Sequence, residues 1–390
     1  MYFVHSISPS LRVRISLRPP LFIFGFPIAL RFVIEKLVER PEHKRDKMPA
    51  AFITGATGFV GHHVAAALIR KGWSLRALCR RQSAKYSDLP GVEWQIGDIR
   101  NPDEVMSAMS GAEAVFHVAA DYRLWARNPR DIYESNVTGT VNVMQAALAS
   151  GVRRVVHTSS VGALGLVSDG TPADENTPVC LDDMVGHYKR SKFLAEREAE
   201  KFIEKGLPLV FVHPSTPVGP GDHKPTPTGK IIVDFLNRKM PAYLDTGLNL
   251  VDVRDVAEGH RLALEKGKIG EKYILGNRNL TLAEIFAMLE EISRVRAPRV
   301  KLPYTPVLWL AGILHLVSLV TGREPLVPYE GVKMAAKRMF FDPSKAIREL
   351  GLPQTPVETA LSDAITWFRQ NGYVSKSGSG EQEAKIFEKR

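Results

Sequence analysis

The sequence predicts an α/β fold: a Rossmann-type doubly wound parallel sheet with a smaller C-terminal substrate domain. Three observations predict it. Strand-like and helix-like runs alternate from residue 51 to residue 213, a glycine-rich turn follows the first strand, and the alternation stops near residue 215. Alternating strands and helices form βαβ units, and their strands therefore lie parallel with helices on both faces.

Six short apolar runs in this first part are predicted as strands. They are AFIT (51–54), SLRALC (74–79), EWQIGD (93–98), AVFHVA (114–119), RVVHTSS (154–160) and PLVFVH (208–213). The runs between them with helical periodicity are 63–71, 103–109, 142–150 and 187–202. Ligands of such sheets bind beyond the carboxyl ends of the strands, so functional residues are expected where the strands end.

The first strand leads into TGATGFVG, which contains Gly55, Gly58 and Gly61. Glycines there permit a tight turn and a close approach of the backbone to a pyrophosphate, and the next helix offers its N-terminal amides. The spacing is G-x-x-G-x-x-G, not the G-x-G-x-x-G of many dehydrogenases. Its place between a strand and a helix predicts a dinucleotide-binding domain over residues 48–214. His62 and His63 follow, and neighbouring residues point about 100° apart on a helix, so no metal site is expected.

The end of the second strand indicates the cofactor. An acidic residue there binds the ribose hydroxyl of NAD, whereas arginine accommodates the 2′-phosphate of NADP. Cys79 stands where the acid would be, and Arg80 and Arg81 follow. NADP is therefore the preferred cofactor and NAD the alternative. The competing interpretation is that both arginines face solvent.

Tyr188 and Lys192 lie four residues apart in HYKRSKFLAEREAEKF, which places them on one face of a helix. A nearby ammonium favours the phenolate and lowers the pKa of a tyrosine, which suits a general acid/base. By itself the pair could also be a chance occurrence on a solvated helix face. A serine hydrolase is not expected, because TSSVG lacks the G-x-S-x-G pattern.

Composition limits the remaining classes of function. The 390 residues carry a net charge of +10, and no basic stripe interleaved with aromatics is present, so nucleic acid binding is not expected. The two cysteines, Cys79 and Cys180, have no metal-ligand spacing and indicate a reducing compartment.

The two ends of the chain differ from its body. Residues 1–47 hold nine Lys/Arg and four Asp/Glu and include LFIFGFPIALRFVI (21–34), a run shorter than the roughly 20 residues of a membrane span. We expect either a basic and apolar extension that attaches peripherally to a membrane, or translation that begins at Met48, which we favour. Residues 374–390 are predicted to be a disordered tail.

Residues 215–373 are predicted to form mainly the substrate domain, with a segment near 250–265 returning to the Rossmann domain. The loop HPSTPVGPGDHKPTPTGK is rich in Pro, Gly and Thr. The apolar run 307–320 is expected to be a helix packed on this domain, and the alternative is an apolar surface for a lipid or membrane.

TGATGFVG, GDIR, the region of Ser160 and YKRSK together resemble the extended short-chain dehydrogenase/reductase (NAD-dependent epimerase/dehydratase) family, from about Met48 to Tyr373. Longer stretches are similar to the hopanoid-associated sugar epimerases and to dihydroflavonol-4-reductase-like proteins. These stretches are FHVAADYRLW, HYKRSKFLAE, PSTPVGPGDHKPTPTGKIIVDFLN, MPAYLDTGLNLVDVRDVA and KRMFFD.

The resemblance implies roles for individual residues. Tyr188 would be the acid/base, Ser160 would bond the reacting oxygen, Lys192 would lower the pKa of Tyr188 and bind the nicotinamide ribose, and Asn136 would support the lysine. The residues implied to bind the cofactor are Gly55, Thr57, Gly58, Phe59, Val60, Gly61, Arg80, Arg81, Asp98, Ile99, Val118, Ala119, Ala120, Tyr188, Lys192, Pro214 and Ser215. The candidate substrate contacts are Tyr122, Arg123, Trp125, Thr216, His223 and Lys224, with mere loop packing as the alternative.

The resemblance implies an enzyme that transfers a hydride. The first hypothesis is an epimerase or dehydratase acting on a sugar, a nucleotide sugar or a polyhydroxylated lipid, linked to hopanoid biosynthesis. The second is an NADPH-dependent carbonyl reductase of the dihydroflavonol-4-reductase type, and the third a non-catalytic dinucleotide sensor. A cytoplasmic homodimer, with membrane association as an option, is expected.

Overall fold

Strand formation in the first part of the chain follows the runs of β-branched and aromatic residues, and helix formation follows the alanine- and leucine-rich runs between them. The computed structural model describes residues 49–81, 89–167, 169–325 and 327–375. The predicted extension 1–47 and almost all of the predicted tail 374–390 lie outside the described residues.

A seven-stranded parallel sheet forms the centre of the described chain, and its strand order is 3-2-1-4-5-6-10. Its strands are β1 (Ala50–Thr54), β2 (Ser74–Cys79), β3 (Val92–Ile96), β4 (Ala114–His117), β5 (Arg154–Thr158), β6 (Leu209–Pro214) and β10 (Lys272–Leu275). The chain leaves β1 towards β2 and β3 and then crosses to β4 on the other side. The strand order therefore reverses between β1 and β4, where doubly wound sheets form their binding crevice.

Helices cover both faces of this sheet. They are α1 (Phe59–Arg70), α2 (Pro102–Met109), α3 (Arg130–Tyr133), α4 (Gly139–Ala149) and α5 (Gly186–Glu204). A π-helical turn, Glu134–Thr138, joins α3 to α4. The predicted doubly wound parallel fold is confirmed.

Both faces of the sheet are apolar because alternate side chains of a strand point to opposite sides. In β1, Ile53 packs on one side with Val64 and Leu68 of α1. Phe52 packs on the other side with Val105 of α2 and Val143 of α4. These two layers hold the strands in place, and the carboxyl ends of the strands border the cavity described below.

Beyond β6 the elements become short. A three-stranded sheet consists of β7 (Thr216–Val218), β9 (Gly247–Asp252) and β11 (Arg278–Thr281), and a two-stranded sheet consists of β8 (Ala242–Leu244) and β12 (Val300–Leu302). The remaining helices are α6 (Pro227–Leu236), α7 (Val253–Lys266), α8 (Leu282–Ser293), α9 (Tyr304–Thr321), α10 (Tyr329–Met334), α11 (Ser344–Leu350) and α12 (Val357–Gln370). A separate apolar core lies under them, with the rings of Phe235 and Phe286 stacked at 5.7 Å.

The chain crosses between these two parts at residues 250–275. Strand β9 pairs in the three-stranded sheet and not in the large one, and the carboxylate of Asp252 caps α7 by accepting a hydrogen bond from the Arg254 amide at 2.7 Å. Helix α7 then packs on α1, and β10 adds the seventh strand. The sequence analysis missed β10, whose four residues show no clear alternation.

Helix α9 differs most from expectation. The expected helix forms and packs on α10, where His315 stacks on Tyr329, but only Ala311 and Ser318 of its 18 residues are fully buried. Among the described residues it is the one helix that is long and apolar enough to cross a membrane by length and composition.

Candidate functional site

A cavity of about 1740 Å³ lies at the carboxyl ends of the large sheet and extends under the short elements of the second part. Every residue that the sequence analysis assigned to the cofactor lines it. So do Ser160 and five of the six candidate substrate contacts, namely Tyr122, Arg123, Thr216, His223 and Lys224. Neither Trp125 nor Asn136 is among the lining residues.

The glycine turn forms a cradle that side chains would fill. Gly55 has a φ of +79°, and a Cβ there would lie 2.6 Å from the amide nitrogen of Ala119. A Cβ on Gly61 would lie 2.0 Å from the carbonyl oxygen of Gly55. The backbones of the β1–α1 turn and the β4 end therefore come together only because these positions are glycine, and the N-terminus of α1 faces the cavity.

The end of β2 is basic at its surface. Burial raises the pKa of the Cys79 thiol, while a hydrogen bond with the Arg81 backbone opposes the shift. The side chains of Arg80 and Arg81 are exposed at this edge of the cavity. Asp98, across from them, is held by Arg100 at 2.7 Å. At the end of β2 a thiol, that of Cys79, therefore stands where a carboxylate would bind the ribose hydroxyl of NAD. The guanidinium groups of Arg80 and Arg81 lie at the same edge of the cavity.

Tyr188 and Ser160 meet at the centre of the cavity. Both side chains line the cavity, and Ser160 Oγ accepts a hydrogen bond from the Gly162 amide at 3.0 Å. Burial raises the pKa of Tyr188 above its ordinary value, and the nearby Ser160 side chain only opposes this. The expected lowering by Lys192 is therefore not seen, because desolvation of the phenol dominates.

Lys192 is buried beside this pair. Its ammonium donates to the carbonyl oxygen of Thr158 at 2.7 Å, and burial lowers its pKa to about 8. The hydroxyl of Thr158 is fixed in turn by His260 Nε2 at 2.8 Å. The lysine is thus held at the end of β5, where it retains its charge at neutral pH.

Asn136 acts on the backbone around the site. In the π-helical turn its Nδ2 donates to the Asp121 carbonyl at 2.9 Å and to Ser191 Oγ at 2.8 Å, while its Oδ1 accepts from the Asp121 amide at 2.7 Å. Ser191 Oγ donates to the carbonyl of Tyr188 at 2.7 Å. Asn136 therefore joins the β4 loop to α5 and supports Lys192 through its neighbour Ser191.

A buried ionic cluster under the site escaped the sequence analysis. Glu196, one turn after Lys192 on α5, contacts His213 Nε2 at 2.8 Å and Lys272 Nζ at 2.6 Å. Burial opposes the charge of Glu196, but His213 and Lys272 outweigh it and keep its pKa well below the ordinary value. The cluster ties α5 to β6 and β10. The i,i+4 spacing from Lys192 to Glu196 was visible in the sequence, but its partners are not local.

Lys189 is a second residue that sequence reasoning missed. It directly follows Tyr188, lines the cavity and is 8% exposed. Its ammonium lies 3.9 Å from Met339 Sδ, a weak acceptor, and burial, aided by Lys337, lowers its pKa to about 8. A buried ammonium with so weak a partner is suited to bond an oxygen of a substrate.

The far end of the cavity is largely apolar. Its lining there includes Ile231, Met240, Tyr243, Leu244, Leu248, Leu282, Leu302, Val307, Val327, Val332, Met334 and Met339. Polar side chains of the second part also line the cavity, namely Asp222, His223, Lys224, Thr226, Thr228 and Thr246. Arg123, after β4, is paired with Asp121. The cavity therefore has a polar reacting end and an apolar far end.

The residues fit a bound nicotinamide dinucleotide. The glycine cradle leaves room for a pyrophosphate, and Ser215 Oγ, beyond the end of β6, is buried in the cavity lining without a hydrogen-bond partner among the described residues. An orphaned hydroxyl costs free energy unless a ligand bonds it. The glycine cradle, Arg80, Arg81, Lys192 and Ser215 all line this one cavity.

Comparisons with known proteins agree with this geometry. The model of the NAD dependent epimerase/dehydratase family matches residues 51–276. The chain is 46% identical over 329 residues, 83% of this chain and 95% of that protein, to a Synechocystis protein named "Putative dihydroflavonol 4-reductase". It is 33% identical over 325 residues, 83% of this chain and 99% of that protein, to Sterol demethylase protein B of Methylococcus capsulatus.

A solved structure shares the fold. A nucleoside-diphosphate-sugar epimerase from Pseudomonas aeruginosa superposes with a TM-score of 0.69 at 26% identity, covering 84% of this chain and 99% of that one.

Proposed function

The chain belongs to the NAD-dependent epimerase/dehydratase family of extended short-chain dehydrogenases/reductases, enzymes of hydride transfer, and from that premise we propose that it acts on an alcohol or ketone at the polar end of a lipid-like substrate. The observation that carries the proposal is the meeting of Tyr188, Ser160 and Lys192 where a polar cavity end joins an apolar one. Net reduction of a ketone and epimerisation of an alcohol both need these three residues.

Tyr188 is the proposed acid/base. Its hydroxyl gives a proton to the substrate oxygen when a carbonyl is reduced and takes one when an alcohol is oxidised. Ser160, which lies beside Tyr188 in the cavity lining, bonds the same substrate oxygen and orients it. Because burial raises the pKa of Tyr188, the phenol is protonated at neutral pH and carries the proton that the reduction of a carbonyl needs.

The proposed cofactor is NADP, with NAD as the alternative; when bound, the nicotinamide supplies or accepts the hydride. The glycine cradle and the N-terminus of α1 would bind its pyrophosphate, and Arg80 and Arg81 the 2′-phosphate. Lys192 would bond the nicotinamide ribose, and Ser215 would bond the cofactor near the reacting end.

The proposed substrate is amphipathic. Lys189 and Thr216 offer polar groups beside Tyr188, whereas about a dozen apolar side chains line the far end. A polyhydroxylated lipid fits this distribution better than a nucleotide sugar, whose charged and polar groups would lie against apolar carbon. The relative named for sterol demethylation favours a polycyclic lipid, and a role in hopanoid biosynthesis is part of the proposal.

Epimerisation of a sugar or nucleotide sugar is the second candidate. The specific observation in its favour is the likeness to the Pseudomonas epimerase, which covers 84% of this chain and 99% of that one. An epimerase returns its hydride and needs only substoichiometric cofactor, whereas a reductase consumes one NADPH for each turnover.

The deciding experiment uses the purified full-length protein. Any retained nucleotide is identified by mass spectrometry, and the reduced-nicotinamide absorbance is followed with a lipid extract and with an aqueous extract of cells. We expect loss of NADPH and a new alcohol with the lipid extract. An isomerised product without net absorbance change would favour the epimerase. No turnover with either extract, and no dependence of cell metabolites on Tyr188, would favour the dinucleotide sensor.

We expect a homodimer formed through the helices that carry Asn136 and Tyr188, in the cytoplasm, with peripheral membrane contact.

A further inference from the structure

Helix α9 presents a wide apolar surface to solvent. Its sequence YTPVLWLAGILHLVSLVT contains no Asp, Glu, Lys or Arg. Trp309 is 73% exposed, Leu316 64% and Val320 89%, and the same surface includes Leu310, Ile313, Val317 and Leu319. Contiguous exposed apolar surface of this kind marks a site of contact with a partner or a membrane.

The other side of α9 belongs to the cavity. Val307 lines the apolar end together with Val332 of the neighbouring helix α10. The ring of His315 stacks on Tyr329 of α10 at 5.7 Å. One helix therefore separates the proposed substrate site from solvent, with apolar side chains on both sides.

Exposed positive charges precede and follow α9 in the chain. Residues 294–338 contain eight Lys/Arg and two Asp/Glu, a net of 8 − 2 = +6. The cations are Arg294, Arg296, Arg299, Lys301, Arg323, Lys333, Lys337 and Arg338, and all eight are exposed. Asp245 pairs with Lys301 at 2.7 Å and lies 3.7 Å from Arg338. Arg127 adds a guanidinium beside Gly322 at the C-terminal end of α9.

We infer that α9 docks on an anionic lipid surface. An apolar helix face with aromatic side chains and surrounding cations is the pattern of an interfacial helix, and anionic headgroups attract such cations. Trp309 and Tyr304 supply the aromatic side chains that favour the headgroup region. A helix whose inner side lines a cavity of the protein lies on the membrane and does not cross it.

Charge decides against a second copy of the chain on this surface, because it would bring two sets of these cations together. An anionic bilayer satisfies both the apolar face and its charged border.

Docking of α9 would place the apolar end of the cavity against the lipid phase. A lipid-like substrate could then pass from the bilayer past Val307 with its polar end towards Tyr188. The surface itself does not depend on the proposed reaction, because binding to a membrane needs no turnover.

The test measures co-sedimentation of the full-length protein with vesicles. Vesicles of phosphatidylcholine with added phosphatidylglycerol are compared with vesicles of phosphatidylcholine alone. The test variant is Leu316→Glu/Val320→Glu. The matched control is Ile96→Glu/Ile269→Glu, which also removes two exposed aliphatic side chains, 69% and 54% exposed, and adds two negative charges elsewhere.

We expect binding to the anionic vesicles that weakens with salt and is lowered at least about tenfold by the α9 variant but not by the control. Arg299→Gln/Arg323→Gln should lower the salt dependence. Equal binding of the α9 variant and the Ile96→Glu/Ile269→Glu control would show that another segment attaches the protein, and it would overturn the inference.

Absence of binding by the unaltered chain would overturn it too. So would an α9 variant whose only effect, measured by light scattering, is to dissociate a dimer. Turnover of a water-dispersed substrate should be the same in the α9 variant, so failure of this inference is distinct from failure of the proposed reaction.

Discussion

The two ends of the cavity are built in different ways. The cofactor end is made largely of backbone: a glycine turn, the N-terminus of α1 and strand ends held at fixed heights by the two-layer core. The substrate end is made of side chains from short elements and from a helix that is mostly exposed. The first arrangement fixes one ligand shape, and the second can change its ligand by substitution of side chains.

The reacting centre lies where the two ends join, so its loss should have the largest effect. Tyr188→Phe removes the proton donor and keeps the ring that packs in the cavity. We expect turnover to fall by about 10²–10⁴-fold, with NADP affinity unchanged. The measurement is kcat on the substrate found by the extract screen together with titration of NADP. Wild-type turnover in the variant would contradict the role of Tyr188.

The next effect should be confined to the cofactor end. Arg80→Ala/Arg81→Ala should weaken NADP binding by roughly 10–100-fold, since charge-assisted bonds are worth about 1.5–3 kcal/mol each and exposure to solvent screens part of this. NAD affinity is the internal control and should not change. If the unaltered protein binds NADP and NAD equally, the two arginines merely face solvent.

The pH dependence of cofactor binding should also come from this end. Burial lowers the pKa of Lys192 from 10.5 to about 8, so the ammonium is charged below about pH 8 and neutral above it. NADP affinity should therefore fall about fivefold as pH rises through 8, because a charged donor is replaced by a neutral one. Lys192→Met should bind weakly at every pH and remove the dependence.

Lys189→Met is the control for this pH effect, since the pKa of Lys189 is also lowered to about 8 but its ammonium faces Met339. This variant should keep the pH dependence of NADP binding. If Lys189→Met lost the pH dependence of NADP binding, the titrating group would be Lys189 and not Lys192.

The smallest effect is expected at the substrate end. Met339→Ala removes apolar surface beside Lys189 and should raise KM about threefold to fivefold, which corresponds to the loss of about one methylene-sized contact with substrate. NADP affinity should be unaltered and kcat nearly so. Equal changes in KM and in NADP affinity would show that the two ends are not separate.

The sequence by itself determined the cofactor end. The alternation of strands and helices, the glycine turn and the i,i+4 pair of Tyr188 and Lys192 are all local patterns, and they located the fold and the proposed cofactor residues. The prediction that Lys192 lowers the pKa of Tyr188 failed, because desolvation depends on everything packed around the phenol. The role assigned to Asn136 likewise needed the structure, which connects it to Ser191 and Asp121 and not directly to the lysine ammonium.

Only the tertiary structure decided the rest. Strand β10 joins the large sheet beside β6, some 60 residues earlier in the chain, and its pairing partner cannot be seen in its own four residues. The burial of Lys189 and the Glu196–His213–Lys272 cluster depend on contacts between segments that are distant in the sequence. Helix α9 is exposed because no distant segment of the described chain covers its outer face. The physical reason is that backbone geometry and periodicity are set by neighbours in sequence, whereas burial, which shifts pKa values and leaves an apolar helix covered or exposed, is set by neighbours in space.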